Sequence, residues 1–280
     1  MIKNRASPDL KRYDNNRGVI KSTKGGWVIG QGVVCHGMDM MEDFVGKLSY
    51  VQVQVLNSTG KLPGKPLANW IEAVYICLSW PDPRIWCNNI GALGGTARAS
   101  IIAATTAGVL ATDARSYGVK PLLEGVEFIQ RALLDYKNNL SVEELVKVEC
   151  KKHGGKPSMM GYARPIAKGD ERVPALERVR IQQGLSIGEH LSLAQQIDSH
   201  LNIEFDESIN VNGYVSAFLS DQGFTIEEIY RIFTMLVASG VTACYVDTES
   251  KPAETFLPLR CDDIDYQGPE AREVPDSVCE

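Results

Sequence analysis

Histidine is scarce: the 280 residues contain four, His36, His153, His190 and His200. Imidazole is the side chain best suited to moving protons near neutral pH and a common metal ligand, so the shortage narrows the available chemistry. His190 and His200 stand ten apart on one predicted helix and point to different faces, which reads as solvated surface histidine. Cys150 and His153 have a C-x-x-H spacing. A structural zinc takes about four ligands, however, and no second Cys/His pair follows at finger spacing. No metal is expected. Gly184-Leu185-Ser186-Ile187-Gly188 has the letters of a G-x-S-x-G elbow but no strand signal ahead of it, so nucleophilic catalysis by serine or cysteine is not expected. Long apolar runs are missing too. The best stretches, Ile101 to Leu110 and Phe233 to Val246, carry Thr, Ser or Gly and fall short of the roughly 18 residues that span a bilayer. Met1 to Arg12 is charged and has no apolar signal core, so a cytoplasmic location is expected. The seven cysteines (Cys35, Cys77, Cys87, Cys150, Cys244, Cys261 and Cys279) are odd in number and widely spread, which suits reduced thiols rather than a disulfide scaffold. The 29 Lys and Arg are scattered through a chain of net charge −6. That argues against a nucleic-acid footprint and leaves small molecules or protein as partners.

What is present is ordinary globular composition, 44% hydrophobic and 23% charged, in a chain long enough for one large core or two unequal ones. Helix signals dominate. Four S/T-x-x-E/Q capping boxes precede apolar periodic runs: Ser49 to Gln52, Ser141 to Glu144, Ser186 to Glu189 and Thr225 to Glu228. After Thr225, apolar residues fall at Ile226, Ile229, Tyr230, Phe233, Leu236 and Val237, the spacing of a helix with one buried face. Leu122, Val126, Ile129, Leu133 and Tyr136 repeat that spacing, as do Leu67, Trp70, Ile71, Val74 and Leu78, and again Ile187, Leu191, Ala194, Ile197 and Leu201. In Tyr50 to Leu56, Val51, Val53 and Val55 alternate as in a strand, but the capping box and the stop at Gly60 to Pro63 predict a helix. Ala97 to Ala111 is rich in Ala, Thr and Gly with only Arg98 charged, which predicts a helix packed closely on most sides. Strand signal is confined to Gly26 to Val34, a small hairpin. The fold class is mainly α. Residues 151 to 174 concentrate Gly, Pro and basic side chains, and a long polar loop in a helical protein is where binding tends to live. The Pro- and Asp-rich stretch after Val246 reads as an extended arm or tail. No internal repeat or low-complexity tract is found.

Four stretches in order carry a resemblance. His36-Gly37-Met38-Asp39 followed by Val45 to Pro63 (VGKLSYVQVQVLNSTGKLP) resembles R-G-Y-D … L-S-F-x-E-x-x-Y-L-L-x-x-G-E-L-P of the citrate synthase family. Gly161-Tyr162-Ala163-Arg164-Pro165-Ile166-Ala167-Lys168-Gly169-Asp170-Glu171-Arg172 resembles that family's G-[FY]-G-H-P-V-Y-K-x-x-D-P-R loop. Asn210 to Tyr214 resembles N-V-D-F-Y, and Ala243 to Asp247 resembles A-H-W-L-E. The length is closer to the citryl-CoA lyases and the lyase module of ATP-citrate lyase than to citrate synthases.

The resemblance implies a nearly all-helical, homodimeric, two-domain fold: a large domain from residues 1 to 115 and 220 to 280, and a small one from 116 to 219 closing over the cleft. It implies coenzyme A or an acyl-CoA as substrate, with a carboxylate partner. In the family, one histidine stabilises the acyl-CoA enol, a second serves the substrate carbonyl, and an aspartate removes the α-proton. Here those positions fall on Tyr117, Arg164 and Asn212, so all three are substituted. An amide such as Asn212 cannot accept that proton. Arg164, always charged, can hold an oxyanion or carboxylate but cannot shuttle protons near neutral pH. Tyr117 can donate a hydrogen bond to an enolate, or simply fill core. Met160, Gly161, Tyr162 and Ala163 match backbone that receives CoA, and Lys151, Lys152, Lys156 and Lys168 are candidates for its phosphates. Arg172 matches an arginine that grips a substrate carboxylate, with one residue fewer in the spacing. Asp170 and Asp113 are the candidate replacement bases, each also readable as a cap or a solvated acid. His36 stands where relatives carry Arg, and a surface role is one reading of it. Two functions are therefore expected as alternatives. One is an enzyme that makes or breaks a carbon–carbon bond between a short acyl-CoA and a carboxylated carbonyl compound, with altered catalytic residues. The other is a catalytically silent relative that binds CoA or a carboxylate in a regulatory or assembly role.

Overall fold

The computed structural model describes residues 8–18, 20–115, 117–163 and 169–274. In chain order the elements are α1 (Pro8–Asp14), β1 (Gly25–Val28), β2 (Gly32–Cys35), β3 (Met38–Asp39), a π-helical turn (Met40–Phe44), α2 (Tyr50–Thr59), α3 (Lys65–Cys77), α4 (Trp86–Thr96) and α5 (Ile101–Ala111). Then come α6 (Val119–Lys137), α7 (Val142–Lys152), α8 (Arg172–Gln182), α9 (Glu189–Phe205), α10 (Val211–Asp221), α11 (Ile226–Ile232), α12 (Ala238–Glu249) and a short 3-10 turn (Cys261–Asp263). The expected mainly-α class holds. The hairpin is there, with Trp27 opposite Val33 and Gly26 opposite Val34, and β3 pairs antiparallel to β2 beside it. Among the described residues, no helix is long and apolar enough to cross a membrane.

The chain packs as two compact units: the part up to Leu78 together with Asp113–Leu236, and Ser79–Thr112 together with the chain from Val237 onward. In the first unit α10 is the central rod. All of its residues from Gly213 to Ser220 are buried, and it lies against α6 and α9. Fully buried Trp70 stacks against Phe218 with ring centroids 4.2 Å apart and gives its indole N–H to the Leu176 carbonyl at 3.2 Å. Burying such a ring contributes about 2–3 kcal/mol, provided its polar edge is satisfied, as it is here.

The ambiguous Tyr50 segment is helical because its capping box forms completely. Ser49 Oγ accepts the Gln52 N–H at 3.2 Å and Gln52 Oε1 accepts the Ser49 N–H at 3.0 Å. Gly60, at φ 81°, ends the helix in the left-handed conformation that glycine adopts without strain. The boxes at Ser141 and Thr225 form in the same way.

Three expectations need correction. The Ser186 box does not form: α9 begins after Gly188, with no cap from its own preceding side chains. Asp221, at the far end of α10, does the capping, accepting the N–H of Gly188, His190 and Leu191 at 2.8–3.0 Å. His190 is consequently not a solvated side chain; its Nδ1 lies 3.0 Å from Asp221 Oδ1 and only 22% of the side chain is exposed. Second, the periodic run after Thr225 is helical only as far as Ile232, and residues 233–237 form a turn ahead of α12. The Ile232 carbonyl is taken by the Gln54 amide at 2.9 Å and by the Tyr75 hydroxyl, and the Leu236 N–H turns to Phe233 instead. Third, residues 97–99 lie outside α5, which starts after the Ser100 cap, and the helix is not packed on most sides. Only Ala104 and Gly108 are buried, while Ile102 and Leu110 are 78% and 70% exposed. The small residues explain the geometry: a Cβ on Gly94 would lie 2.4 Å from the Ala104 Cβ, and one on Gly108 would lie 2.5 Å from Val241 Cγ1. One face of α5 therefore meets α4 and α12 closely, and the bulky residues are left on the other.

Beyond α12 the chain runs exposed, as expected for an arm. It is tied down at its start, where Thr96 Oγ1 accepts the Thr255 and Phe256 N–H groups and Arg98 donates to the Glu249 and Lys251 carbonyls.

Candidate functional site

Asn210 precedes α10 in extended backbone and caps it: its Oδ1 accepts the N–H of Asn212 at 2.9 Å and of Gly213 at 3.2 Å. The Val211 N–H goes to Asp170 Oδ2 at 2.8 Å and the Tyr214 N–H to the Asn210 carbonyl at 3.1 Å. The three N–H groups of the first turn that have no partner inside the helix, those of Val211, Asn212 and Gly213, are thus all satisfied.

Two loop segments converge on this helix start. Gly161 to Ala163 runs alongside residues 208–210. The Asn210 N–H bonds the Gly161 carbonyl at 3.0 Å, the Ala163 N–H bonds the Ser208 carbonyl at 2.8 Å, and the Asn210 Nδ2 bonds the Ala163 carbonyl at 2.7 Å. The approach is so close that a Cβ on Gly213 would sit 2.3 Å from the Gly161 oxygen. Ala163 has φ 71°, a left-handed conformation costing an L-residue roughly 1–2 kcal/mol, at the position where the family motif carries Gly. The Tyr162 side chain points inward, its hydroxyl donating to the Ala194 carbonyl at 3.2 Å and its ring edge-on to Phe128. Burial pushes its phenol far above the ordinary range. Its ring is therefore core, which leaves the backbone as the part of Tyr162 able to meet a ligand. Met160 is half-buried beside buried Met159.

The second segment holds Asp170 and Arg172. The Arg172 Nε and Nη2 meet the two Asp170 oxygens at 2.7 Å each, and the Arg172 backbone N–H adds a third bond at 3.1 Å. Burial by itself would raise the Asp170 carboxyl, but the Arg172 fork and the Val211 N–H outweigh it and hold the group below the usual carboxylate range. Each Asp170 oxygen accepts two N–H donors, and the side chain is fully covered. It is a structural anion and a poor candidate for the replacement base. Two of the five guanidinium N–H groups of Arg172 are committed to it.

Asn212 sits in the first turn of α10 and faces the first turn of α6. Its Nδ2 donates to the Pro121 carbonyl at 2.7 Å and its Oδ1 accepts the Ser216 hydroxyl at 3.1 Å. Gly125 makes room, since a Cβ there would lie 2.6 Å from the Asn212 oxygen. Tyr117 is half-buried just ahead of Gly118, the residue from which α6 starts. Asp113 pairs with Gly118 in an isolated antiparallel bridge, lies 3.7 Å from the Lys120 ammonium and is 48% exposed. Tyr230 also bonds Asp113; burial first, and then this carboxylate, raises the Tyr230 phenol. Arg164 and Lys168 lie outside the described residues. Lys151, Lys152 and Lys156 are exposed, with Lys152 paired to Glu149 at 2.6 Å. His36 is half-buried in the β2–β3 turn at φ 49°, with its Nε2 covered and lacking a hydrogen-bond partner among the described residues, which does not fit a surface role. Among the described residues no group of His, Cys, Asp and Glu could hold a metal ion.

Of the residues singled out in the sequence, Gly161, Ala163, Asp170, Arg172 and Asn212 gather around one helix start. Reasoning from sequence missed Asn210, Pro121, Ser216 and Gly125. Asn210 carried a usable signal, an Asn immediately before an apolar helix, whereas Pro121 and Ser216 carried none. Two concavities lie elsewhere among the described residues. A groove of about 190 Å³ between α6 and α7 is floored by Phe128, Leu140, Leu145 and Val148. A shallow one of about 300 Å³ lies over Ile101, Ile102, Thr105, Thr106 and Thr242.

No protein-family model and no curated protein sequence matches the chain. Solved structures do. Citryl-CoA lyase from Hydrogenobacter thermophilus matches with a TM-score of 0.77 at 22% identity, over 94% of this chain and 100% of that one. The chain has a citrate synthase-like fold. ATP citrate lyase from Methanothrix soehngenii, in complex with citrate and coenzyme A, shares the citrate synthase-like fold at TM-score 0.72 and 18% identity, over 94% of this chain and 44% of that one. Citrate synthase from Thermotoga maritima MSB8 matches at TM-score 0.60 and 20% identity, over 82% of this chain and 61% of that one. At these identities the likeness is one of fold.

Proposed function

We propose that this protein binds coenzyme A thioesters and makes or breaks a carbon–carbon bond between a short acyl-CoA and a carboxylated carbonyl compound, by a citryl-CoA lyase or citrate synthase type of reaction with altered catalytic residues. The observation that carries this reading is the end-to-end structural match to a citryl-CoA lyase. The convergence of the family-like motifs on the start of α10 agrees with it. In the cleavage direction the bond between the thioester α-carbon and the carbinol carbon breaks. Its electron pair passes into the thioester enolate as the hydroxyl gives up its proton. Tyr117 would donate a hydrogen bond to that enolate, and Arg164 and Arg172 would hold the carboxylates or the oxyanion. Asn212 orients, with Met160, Gly161, Tyr162, Ala163 and Lys168 along the CoA chain. With Asp170 committed to Arg172 and Val211, Asp113 is the remaining candidate base. The division into a large domain, residues 1–115 with 220–280, and a small domain, residues 116–219, belongs to the same proposal. So does a homodimer, for which the bulky exposed face of α5 is a suitable surface.

A second reading has its own support. Both ends of the Asn212 amide and both oxygens of the Asp170 carboxylate bond protein groups, as expected for a catalytically silent relative that binds CoA or a carboxylate in a regulatory or assembly role. Calorimetry with CoA and acetyl-CoA, followed by deuterium uptake into the acetyl methyl in heavy water, separates the two. Binding with exchange above background supports the enzyme. Binding without exchange supports the silent protein; absence of binding would sink the enzyme and the CoA-binding form of the silent protein, leaving a carboxylate site that calorimetry with citrate tests.

A further inference from the structure

We infer that Asn210 is a positioning residue that uses the two ends of one amide to tie the Gly161–Ala163 loop to the helix bearing Asn212. This rests on the proposal that the loop meets CoA. The Asn210 Oδ1 accepts the Asn212 and Gly213 N–H groups, while the Nδ2 of the same side chain reaches the Ala163 carbonyl at 2.7 Å. A second pair of bonds runs beside it, from the Asn210 N–H to the Gly161 carbonyl and from the Ala163 N–H to the Ser208 carbonyl. Ala163 occupies the left-handed region, which an alanine does not hold unless neighbours over-determine it. The Asn210 amide is one of those neighbours. The contact of Gly161 with Gly213 leaves no space for the loop to sit closer or to slide. Any ligand that reads the loop backbone therefore depends on the Asn210 donor, although that donor caps nothing.

The two functions of the amide can be separated because only one of them needs a donor. Asn210→Asp keeps an acceptor for the Asn212 and Gly213 N–H groups, and aspartate is as good a helix cap as asparagine. It loses the N–H for Ala163 and places a carboxylate against a carbonyl. Asn210→Ser, too short to reach Ala163 but still a cap, serves as a second variant should the first fold poorly. Thr225→Ala, which removes a cap of α11, controls for a general loss of stability. The expected result has both Asn210 variants melting near the parent, binding CoA about tenfold more weakly by calorimetry, the equivalent of one lost hydrogen bond. Hydrogen exchange in the peptide covering residues 159–163 should be faster in both, and unchanged in Thr225→Ala. Parent-like exchange in that peptide would overturn the inference whether or not CoA binds. Faster exchange with unchanged CoA affinity would overturn the link to ligand binding. Failure of the parent protein itself to bind CoA would defeat the functional proposal, while the exchange comparison would still decide the positioning role.

Discussion

Helices α10 and α9 begin in different ways, one with a cap beside it in the chain and one with a cap from a distant helix end. The start of α10 is closed by Asn210, its own preceding residue, with help from Asp170. The start of α9 is closed by Asp221, the last residue of α10, and by nothing local. A carboxylate can only accept, so Asp221 binds N–H groups and the His190 ring and its capacity ends there. An amide also donates, so the residue that caps α10 has an N–H left over for a loop. Of the two helix starts, the one able to organise a site is the one with a bifunctional cap.

The largest expected effect comes from removing the distant cap. Asp221→Ala leaves three N–H groups and a histidine without their acceptor and should cost about 3 kcal/mol in urea unfolding. It also carries a pH signature. Burial alone would raise the Asp221 carboxyl, but the His190 ring and the N–H groups of Leu191 and His190 hold it below the ordinary range. A folded value below the unfolded one means that the unfolded chain takes up the proton first as pH falls. The stabilisation is therefore complete above about pH 4, the ordinary carboxylate value, and is lost as pH drops through the folded value. Asp221→Asn should accordingly show a shallower loss of stability with acid than the parent, and an unchanged acid limb would contradict the assignment.

Next in size is the close approach at α10. Gly213→Ala forces a methyl into the Gly161 carbonyl and should cost about 2 kcal/mol, and weaken the proposed CoA binding if the loop shifts. A parent-like melting curve would show that the two backbones can separate freely. The ordinary local caps follow: Ser141→Ala at the start of α7 should cost about 1 kcal/mol. Ser186→Ala, at the box that does not form, should stay within about 0.5 kcal/mol of the parent. A Ser186 effect as large as that of Ser141 would mean that α9 is capped locally after all. The smallest effect on the isolated fold is expected from Ile102→Glu on the exposed face of α5. Unfolding of the single chain should be unaffected, whereas ultracentrifugation should show the proposed dimer giving way to monomer. A parent-like sedimentation profile would remove α5 from the proposed interface.

Motif and periodicity located α2, α3, α6 and α7 because each one's start, stop and buried face are written within a dozen or two neighbouring residues. Three of the four capping boxes form, since a serine or threonine and an acid or amide three residues on need nothing but each other. The same local logic failed at Ser186, at residue 232 and along α5. There the deciding partners, Asp221, Gln54 with Tyr75, and Val241, come from distant parts of the chain. The site divides in the same manner. Asn210 is legible as a helix cap and Arg172 as a carboxylate fork, but their actual partners, the Ala163 carbonyl and Asp170 with Val211, are matters of packing.

By itself, then, the amino-acid sequence determined the helical class, the collinear citrate synthase-like motifs and the scarcity of histidine, all of which depend on residue type and spacing along the chain. Only the tertiary structure decided that Asp170 is a buried counter-ion, that Asn212 is an amide strut between α10 and α6, and that one face of α5 is bare. A carboxylate or amide has the same letter whether its oxygens face a substrate or four N–H groups of its own protein, and which of these it meets depends on residues that folding brings to it.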